Sequence, residues 1–392
     1  MYETGISTTP GDRRATLRID RPTVLVGEKE RMTEREYVYV IAEAGVNHNG
    51  DLDKGLALVD AAAEAGADAV KFQTFQASQL AAEEAAMSDY QRRALGEETE
   101  SQRSMLQKLE LDQQAHWALK ERAQSLGIDF VSTAFDIDSL HFLADLGVPW
   151  LKVSSGELTN GPLLMAHAHK PHPLVVSTGM ATLAEIEEAL GVLAYGMTRK
   201  GRPSGTEDLA RALSSAEGQA ALKERVTLLH CTSQYPAPPE HINLRAMQTL
   251  ASTFGLPVGY SDHSAGEFVP SAAVALGASV VEKHFTLDRN LPGPDHQASL
   301  EPDELRRMVE GIRTIEQALG NRRKHPQESE WETRAVARQV VVARRAIRQG
   351  ETIESEALST QRAGEGLSPM RVWELIGRPA TRDYAKGEVI QP

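Results

Sequence analysis

The 392-residue sequence has one cysteine, Cys231, and fewer basic than acidic side chains, with 42 Lys and Arg against 55 Asp and Glu. A single cysteine excludes an internal disulfide framework and fits a reducing compartment. The net charge of −13 argues against nucleic acid or an anionic membrane as a partner, because both attract basic surfaces. The apolar runs are shorter than the roughly 20 residues of a membrane span, and the N-terminus lacks a signal-peptide pattern. These absences predict a cytoplasmic protein.

The composition is that of an ordinary globular enzyme, with 41% apolar and 25% charged residues. The length predicts one large domain and a small one. Residues 1–36 are polar and lack sustained periodicity, so we interpret them as an N-terminal extension, loosely ordered or a short strand pair. From Tyr37 onward, short runs rich in Val, Ile and Phe alternate with segments of helical spacing, which predicts alternating strands and helices.

Eight strands are predicted before residue 320. They are Val38–Ala42, Ala69–Phe72, Asp129–Ser132, Trp150–Val153, Leu174–Ser177, Thr227–His230, Pro257–Tyr260 and Val280–His284. Amphipathic helices are predicted at Leu52–Ala65, Gln113–Leu126, Leu140–Leu146, Leu183–Leu193 and Phe268–Leu276. Eight such units favour a closed eight-fold β/α (TIM) barrel over 37–320, since a doubly wound sheet has fewer strands and its Gly-rich fingerprint is missing.

Two further segments interrupt or follow this rhythm. Residues 196–224 lengthen the connection between the fifth and sixth strands, and we interpret them as a surface insertion. A polar linker is predicted over 321–334, where Pro326 and several charges occur without apolar periodicity. Residues 335–392 then resume with short strands and turn dipeptides, which predicts a small, mostly-β domain near the lower size limit for independent folding.

Polar residues end every predicted strand. They are Glu43, Asn47 and His48; Lys71 and Gln73; Ser132 and Thr133; Lys152, Ser155 and Glu157; Ser177 and Thr178; His230; Ser261, Asp262 and His263; and Glu282 and His284. Catalytic groups of β/α barrels lie at the carboxyl ends of the strands. This concentration favours an enzyme over a non-catalytic binding protein.

His263 and His284 end the seventh and eighth strands, which are neighbours in a closed barrel. Two neutral imidazoles held close together suit a divalent metal with open coordination positions. Asp262 and Glu282 could orient them from behind. The alternative is that each histidine is an ordinary buried residue bonded to a carboxylate.

Lys71, Lys152 and Lys283 lie within or at the end of apolar strands, where an unpaired ammonium group is costly. They could bind phosphate and carboxylate groups, or one could form a Schiff base as in class I aldolases. The hydroxyls beside Lys152 and near Ser177 favour anion binding. A purely structural pair of lysine with a carboxylate is the third interpretation.

Several motifs together resemble the sialic acid synthase family. They are IAEAGVNHNG, LKVSSGEL, LLHCTSQYPAPP, GYSDHSAG and VVEKHFTLDRNLPGPDHQ, and the carboxyl-terminal QRAGEGLSP and IGRPATRDYAKGEVI look like its antifreeze-like (SAF) domain. The resemblance covers about residues 37–392. It implies condensation of phosphoenolpyruvate with N-acetylmannosamine or a related 2-acetamido sugar, giving phosphate and a nine-carbon α-keto acid.

The resemblance also implies the residues of the site. Mn²⁺, or else Mg²⁺ or Co²⁺, would bind to His263 and His284, and Glu43, Lys71 and Lys152 would be catalytic. The other phosphoenolpyruvate contacts would be Thr133, Ser155, Ser177, Ser233 and Ser261, and the sugar contacts Gln73, Tyr235, Asp295 and Arg362. A homodimer is implied in which the SAF domain of one subunit covers the barrel of the other, so that Arg362 reaches the partner's site.

The residue at position 233 leaves the identity of the acceptor sugar open. Some N-acetylneuraminate synthases have Asn where the HCTS segment places Ser233, and HCTSQYPAPP is also similar to N,N'-diacetyllegionaminate synthases. The alternative acceptor is therefore 2,4-diacetamido-2,4,6-trideoxymannose. Another phosphoenolpyruvate-dependent synthase, which makes a shorter sugar acid, is a further alternative. The SAF domain and the PGPD segment count against it.

For Glu43, a salt bridge with a strand lysine is the structural alternative to a catalytic role.

Overall fold

The structure is a computed structural model that describes residues 37–87, 92 and 101–391. These residues form two compact units that divide after Gly320. The predicted extension over residues 1–36 lies outside the described residues. Within them, no helix is both long and apolar enough to cross a membrane.

The first unit is a closed barrel of eight parallel strands in sequential order, so the predicted TIM barrel is confirmed. The strands are β1 (Tyr39–Gly45), β2 (Ala69–Thr74), β3 (Asp129–Ala134), β4 (Leu151–Val153), β5 (Leu174–Ser177), β6 (Val226–Cys231), β7 (Val258–Asp262) and β8 (Val280–His284). β1 pairs with β8 and closes the sheet. Each strand lies within a few residues of its predicted position.

Helices surround the barrel. They cover Leu52–Glu64, Ala77–Leu80, Gln102–Gln107, Gln113–Ser125, Ile137–Leu146, Gly161–Ala168, Leu183–Thr198, Thr206–Ser214, Ala216–Arg225, Pro239–Ile242, Ala246–Phe254, Phe268–Ala275 and Pro302–Leu319. Their starts follow local rules: the Asp51 carboxylate accepts from the amides of the first turn, and Thr182 and Glu185 form a capping box. The 196–224 insertion contributes two of these helices, Thr206–Ser214 and Ala216–Arg225.

The amino end of the barrel is closed by structural polar contacts. The Tyr39 hydroxyl donates to Asp129 at 2.5 Å, and the Tyr39 ring packs edge-on against Trp150 with centroids 6.2 Å apart. On the same end, Arg313 pairs with Asp68 at 2.7 Å, and Asp68 also accepts from the Val40 amide at 2.8 Å. These contacts tie strand starts to each other and to the last helix, away from the carboxyl ends where catalytic groups lie.

The second unit contains a two-stranded antiparallel sheet of β9 (Val340–Ala343) and β10 (Leu358–Gln361). Its core is apolar and includes Val341, Ile353 and Ile390. A helix covers Trp331–Ala337 and so begins within the predicted linker over 321–334. The turn before this helix is a capping box of Gln327 and Glu330. The helix buries no residue, so its sequence carries no apolar periodicity from which a helix could be predicted.

Candidate active site

Four charged side chains meet at the carboxyl end of the barrel, and all are buried. Lys71 on β2 lies 2.7 Å from the Glu43 carboxylate of β1 and 3.5 Å from Glu282 of β8. Lys152 on β4 lies 3.7 Å from the other oxygen of Glu282. Glu282 therefore lies between the two lysines, and the four groups form one network across the barrel.

The pKa shifts within this network favour the binding of an anion. Burial would raise the pKa of Glu282, but Lys152 and Lys71 outweigh burial and lower it to about 2. Burial raises the pKa of Glu43 to about 7 in spite of Lys71. Burial would lower the pKa of Lys71, yet Glu282 and Glu43 raise it overall. Burial lowers the pKa of Lys152, although Glu282 opposes this effect. With Lys71, Lys152 and Glu282 charged and Glu43 protonated, the network carries a net positive charge within a chain of net charge −13.

Hydroxyl groups extend this network. Lys71 donates to Thr133 at 3.0 Å, Lys152 donates to Ser177 at 2.7 Å, and Ser261 donates to Glu282 at 2.8 Å. All three hydroxyl residues were predicted as phosphoenolpyruvate contacts. In the structure, two of them contact the predicted lysines and the third contacts Glu282. Small hydroxyls beside lysine ammonium groups are the donors that phosphate and carboxylate oxygens need.

A cradle formed by Ser155, Gly179, Cys231 and Ser233 lies at the ends of β4, β5 and β6. The Gly179 amide donates to the Ser155 hydroxyl at 3.0 Å, which lies 3.1 Å from the Cys231 sulfur. A Cβ atom on Gly179 would lie 2.3 Å from the Ser233 hydroxyl and 2.8 Å from that of Ser155. Only glycine fits there, so the backbone comes close to two predicted ligand hydroxyls.

His263 and His284 lie together after β7 and at the end of β8, with ring centroids 5.5 Å apart. The Nδ1 of His263 donates to the Thr232 carbonyl at 2.7 Å, so its Nε2 carries the free lone pair. The Nδ1 of His284 is buried and has no hydrogen-bond partner. Burial lowers the pKa of both imidazoles, to about 4 for His263, which keeps them neutral.

These two imidazoles fit a divalent metal. The Nδ1 atom of His263 is held by its hydrogen bond to the Thr232 carbonyl, an arrangement that is common for metal-binding histidines. The Nδ1 atom of His284 has no hydrogen-bond partner, and coordination of a cation would satisfy it. In the part of the chain that the structure describes, no group of three or more His, Cys, Asp and Glu side chains could hold a metal. A metal here would thus have two protein ligands and several positions open for water or substrate oxygens.

The predicted sugar residues differ in position. The Tyr235 ring stacks on His263 with centroids 4.1 Å apart. A Cβ atom on Gly45 would lie 3.4 Å from both the Gln73 amide nitrogen and the Glu43 carboxylate, so Gln73 borders the network. Asp295 is buried in the segment after β8, and burial raises its pKa to about 6. Arg362 is exposed on the second unit, directly after β10.

Some polar strand ends have structural partners. His230 donates to the Ile242 carbonyl at 2.6 Å, and Glu157 accepts from Asn160 at 2.7 Å. For Lys283 the structural interpretation is correct, because its ammonium lies 2.6 Å from Asp262 in a fully buried pair. The hydrogen bonds of the Asp262 carboxylate go to Lys283, Ser264 and Tyr260. Any orienting effect of Asp262 on the histidines would thus act through these neighbours.

Sequence patterns missed three features of the site. Glu282 was expected only to orient a histidine, yet it joins both lysines. Gly45 and Gly179 were not singled out, although each allows functional side chains to converge where a larger residue would collide. The sequence signal for Gly179 is its position in STGM, residues 177–180, directly after the Ser177 and Thr178 hydroxyls at the end of β5.

Comparisons with known proteins identify the family of this chain. Residues 58–324 match the NeuB family, and residues 338–392 match the SAF domain. An N,N'-diacetyllegionaminic acid synthase of Legionella pneumophila is 44% identical, over 90% of this chain and 93% of its own length. The corresponding synthase of Campylobacter jejuni is also 44% identical, over 90% and 98%.

A solved structure extends the comparison to the fold. The N-acetylneuraminic acid synthetase of Leptospira borgpetersenii is 35% identical and has a TM-score of 0.61, covering 76% of this chain and 90% of that one. The predicted resemblance is thus confirmed over the barrel and the carboxyl-terminal unit. The chain belongs to the NeuB family and is an enzyme of the synthase type with a carboxyl-terminal SAF domain.

Proposed function

We propose that this enzyme condenses phosphoenolpyruvate with a 2-acetamido sugar aldehyde and water, giving a nine-carbon α-keto acid and phosphate. One observation carries the proposal: a buried cluster with two lysines and several hydroxyls lies next to a pair of neutral histidines. An anionic three-carbon donor fits the first part, and a sugar carbonyl fits the second.

Lys71 and Lys152 bind the carboxylate and phosphate of phosphoenolpyruvate as point charges. Their Nζ atoms contact the Thr133 and Ser177 hydroxyls, and these hydroxyls can in turn donate hydrogen bonds to oxygens of phosphoenolpyruvate. Ser155 and Ser233, beside Gly179, offer further donors of the same kind. Fixed charges position the donor while leaving its C3 free to form the new bond.

A divalent ion, in our proposal Mn²⁺ with Mg²⁺ or Co²⁺ as substitutes, would be held by His263 and His284 and would polarise the sugar aldehyde as a Lewis acid. Tyr235, stacked on His263, bounds this side of the pocket. Attack of C3 on the aldehyde leaves cationic character at C2, which water captures before phosphate departs with the bridging oxygen.

In its ionised form, Glu43 positions that water and accepts its proton. Its pKa of about 7 places it where it exchanges a proton near neutral pH. Its contact with Lys71 at 2.7 Å also connects it to the donor's charges. The ion pair assigned to Glu43 as a structural alternative is therefore present, and it is compatible with the catalytic role.

For the acceptor we propose 2,4-diacetamido-2,4,6-trideoxymannose, since two relatives at 44% identity are named N,N'-diacetyllegionaminic acid synthases. N-acetylmannosamine is the second candidate, and it is favoured by the name of the Leptospira borgpetersenii structure at 35% identity. We further propose a cytoplasmic homodimer in which the SAF domain of one subunit covers the partner's barrel.

The test is a mass-resolved product assay with phosphoenolpyruvate, Mn²⁺ and a panel of hexosamines that includes both acceptors. A product with the mass of diacetyllegionaminate, formed faster than N-acetylneuraminate, supports the proposal. Label in the bridging oxygen of phosphoenolpyruvate should appear in phosphate. Trapping of a pyruvate adduct by borohydride would instead indicate a class I aldolase.

A further inference from the structure

The Asp262–Lys283 pair is the most deeply buried ion pair among the described residues. Both side chains have 0% exposure, and the Lys283 Nζ lies 2.6 Å from the Asp262 carboxylate. The two residues lie opposite each other in the register of β7 and β8. Each is followed directly in the sequence by one of the two site histidines, His263 and His284.

The pair also fixes the backbone on the far side of His263. Lys283 donates to the Ser264 carbonyl at 2.5 Å, while the Asp262 carboxylate accepts from the Ser264 amide and hydroxyl, each at 2.9 Å. The Tyr260 hydroxyl donates to the same carboxylate at 2.8 Å. The residues before and after His263 are therefore bonded to one charged centre, which is attached to the residue before His284.

We propose that the Asp262–Lys283 pair positions His263 and His284 for binding of a divalent cation, acting through the backbone and not by contact with the imidazoles. This inference rests on the proposed function, because it assumes that the two histidines bind the metal. A buried ion pair often gives no more stability than apolar residues of the same volume. Geometry is what this pair provides: it joins two strand ends at the point where their next residues must converge.

A second ion pair serves as the matched control. Asp68 and Arg313 also join parts of the barrel at 2.7 Å, but they lie at the amino end, away from the histidines. Removing either pair should destabilise the barrel. Only removal of the Asp262–Lys283 pair should change cation binding.

The experiment compares the full-length double variants Asp262→Asn/Lys283→Met and Asp68→Asn/Arg313→Met with the unmodified enzyme. Mn²⁺ affinity is measured by calorimetry on metal-stripped protein, and thermal stability on the same samples. We expect the first variant to bind Mn²⁺ about 10-fold to 100-fold more weakly, the range typical of residues that orient metal ligands. The control should keep its Mn²⁺ affinity, and at saturating Mn²⁺ the first variant should keep its KM for phosphoenolpyruvate.

If that double variant does not fold, Ser264→Ala gives a milder test, since it removes one hydroxyl from Asp262 and nothing charged. It should still weaken Mn²⁺ binding measurably. Unchanged Mn²⁺ affinity in the folded variants would overturn the positioning role. The proposed function has a separate test in the same assay: if His263→Ala binds Mn²⁺ as well as the unmodified enzyme, the metal site itself is wrong.

Discussion

The barrel and the carboxyl-terminal unit bury different kinds of residue. Every buried polar or charged residue among the described ones lies in the barrel, between Glu43 and Ser299. The carboxyl-terminal unit buries apolar side chains together with Tyr384, and its arginines, including Arg362, are at the surface. Both units are compact, but only the barrel buries charged side chains in its interior.

This difference indicates where function can reside. Burying ionisable groups costs free energy unless each is paired, and the barrel pairs its lysines with carboxylates at the strand ends. A large apolar core can offset that cost, whereas a unit of some 70 residues buries too little apolar surface to offset it. The barrel can therefore hold an active site internally, while the smaller unit can contribute only from its surface.

The largest expected effect concerns the histidine pair in the barrel. His263→Ala or His284→Ala should lower kcat by about 1,000-fold or more, since loss of Lewis-acid activation removes several kcal/mol of transition-state stabilisation. Steady-state kinetics at saturating Mn²⁺ measure this. His230→Gln is the control, because it keeps a donor for the Ile242 carbonyl and should keep kcat. Full activity of metal-stripped enzyme in a chelator would contradict the assignment.

Gly179→Ala should give the next largest effect. The new methyl would lie 2.3 Å from the Ser233 hydroxyl and 2.8 Å from that of Ser155, so both must move. We expect kcat/KM for phosphoenolpyruvate to fall about 10-fold to 100-fold, corresponding to an overpacking cost of about 1–3 kcal/mol. Gly161→Ala is the matched control, because a Cβ atom there has nothing within 4 Å. Equal kinetics of the two variants would mean that the cradle does not bind the donor.

Acid should destabilise the barrel through its buried histidines. Burial lowers the pKa of His167 from 6.5 to about 4, so the unfolded state binds its proton first as the pH falls. Stability is full above about pH 6.5 and is lost down to about pH 4. Between pH 7 and pH 5 the loss from this residue is about 2 kcal/mol.

Denaturant unfolding at both pH values tests this with His167→Asn, which keeps a donor for the Leu163 carbonyl and does not titrate. The variant should lose about 2 kcal/mol less than the unmodified chain between the two pH values. Hydrogen exchange should show a smaller pH response in β9 and β10, because among the described residues no histidine after His296 is buried. An equal loss in both proteins would show that His167 is not held neutral.

Periodicity was sufficient to predict the barrel and most of its polar rim. The eight apolar runs, and the glycines that follow several helices such as Gly147 and Gly255, obey local rules of spacing and punctuation, so each strand lies within a few residues of its predicted position. The exposed helix Trp331–Ala337 was missed for the opposite reason, since it buries nothing and has no apolar stripe.

Contacts between distant strands could not be predicted in the same way. Strand position suggested that Lys71, Lys152 and Lys283 all need partners, but not which partners. Register decides this: Asp262 faces Lys283, whereas Glu282, one residue earlier, faces the barrel interior with the other two lysines. A difference of one residue along β8 separates a structural ion pair from the proposed donor pocket.

The smallest expected effect would connect the two units. Arg362 is exposed, and a solvated arginine on a loop has by default no effect on catalysis. The proposed homodimer instead places it on the sugar in the partner's barrel. Arg362→Ala should then raise the KM for the acceptor by about tenfold, equivalent to one charge-assisted hydrogen bond. The KM for phosphoenolpyruvate should stay unchanged, because its proposed ligands all belong to the barrel.

Arg344→Ala is the matched control, another exposed arginine of the same unit, and it should change neither KM. Mixed dimers sharpen the test. A dimer of one Arg362→Ala chain and one His263→Ala chain has both defects in the same composite site, which leaves the other site intact if the units are exchanged between subunits. In the pure heterodimer, half of the sites would then be intact, and about a quarter after equal mixing with random subunit exchange. At acceptor concentrations below the KM, the mixture should therefore be more active than the average of the two separate proteins. Without recovery after confirmed subunit exchange, the SAF domain would serve its own barrel or none, and the surface of the smaller unit would have no part in catalysis across the dimer.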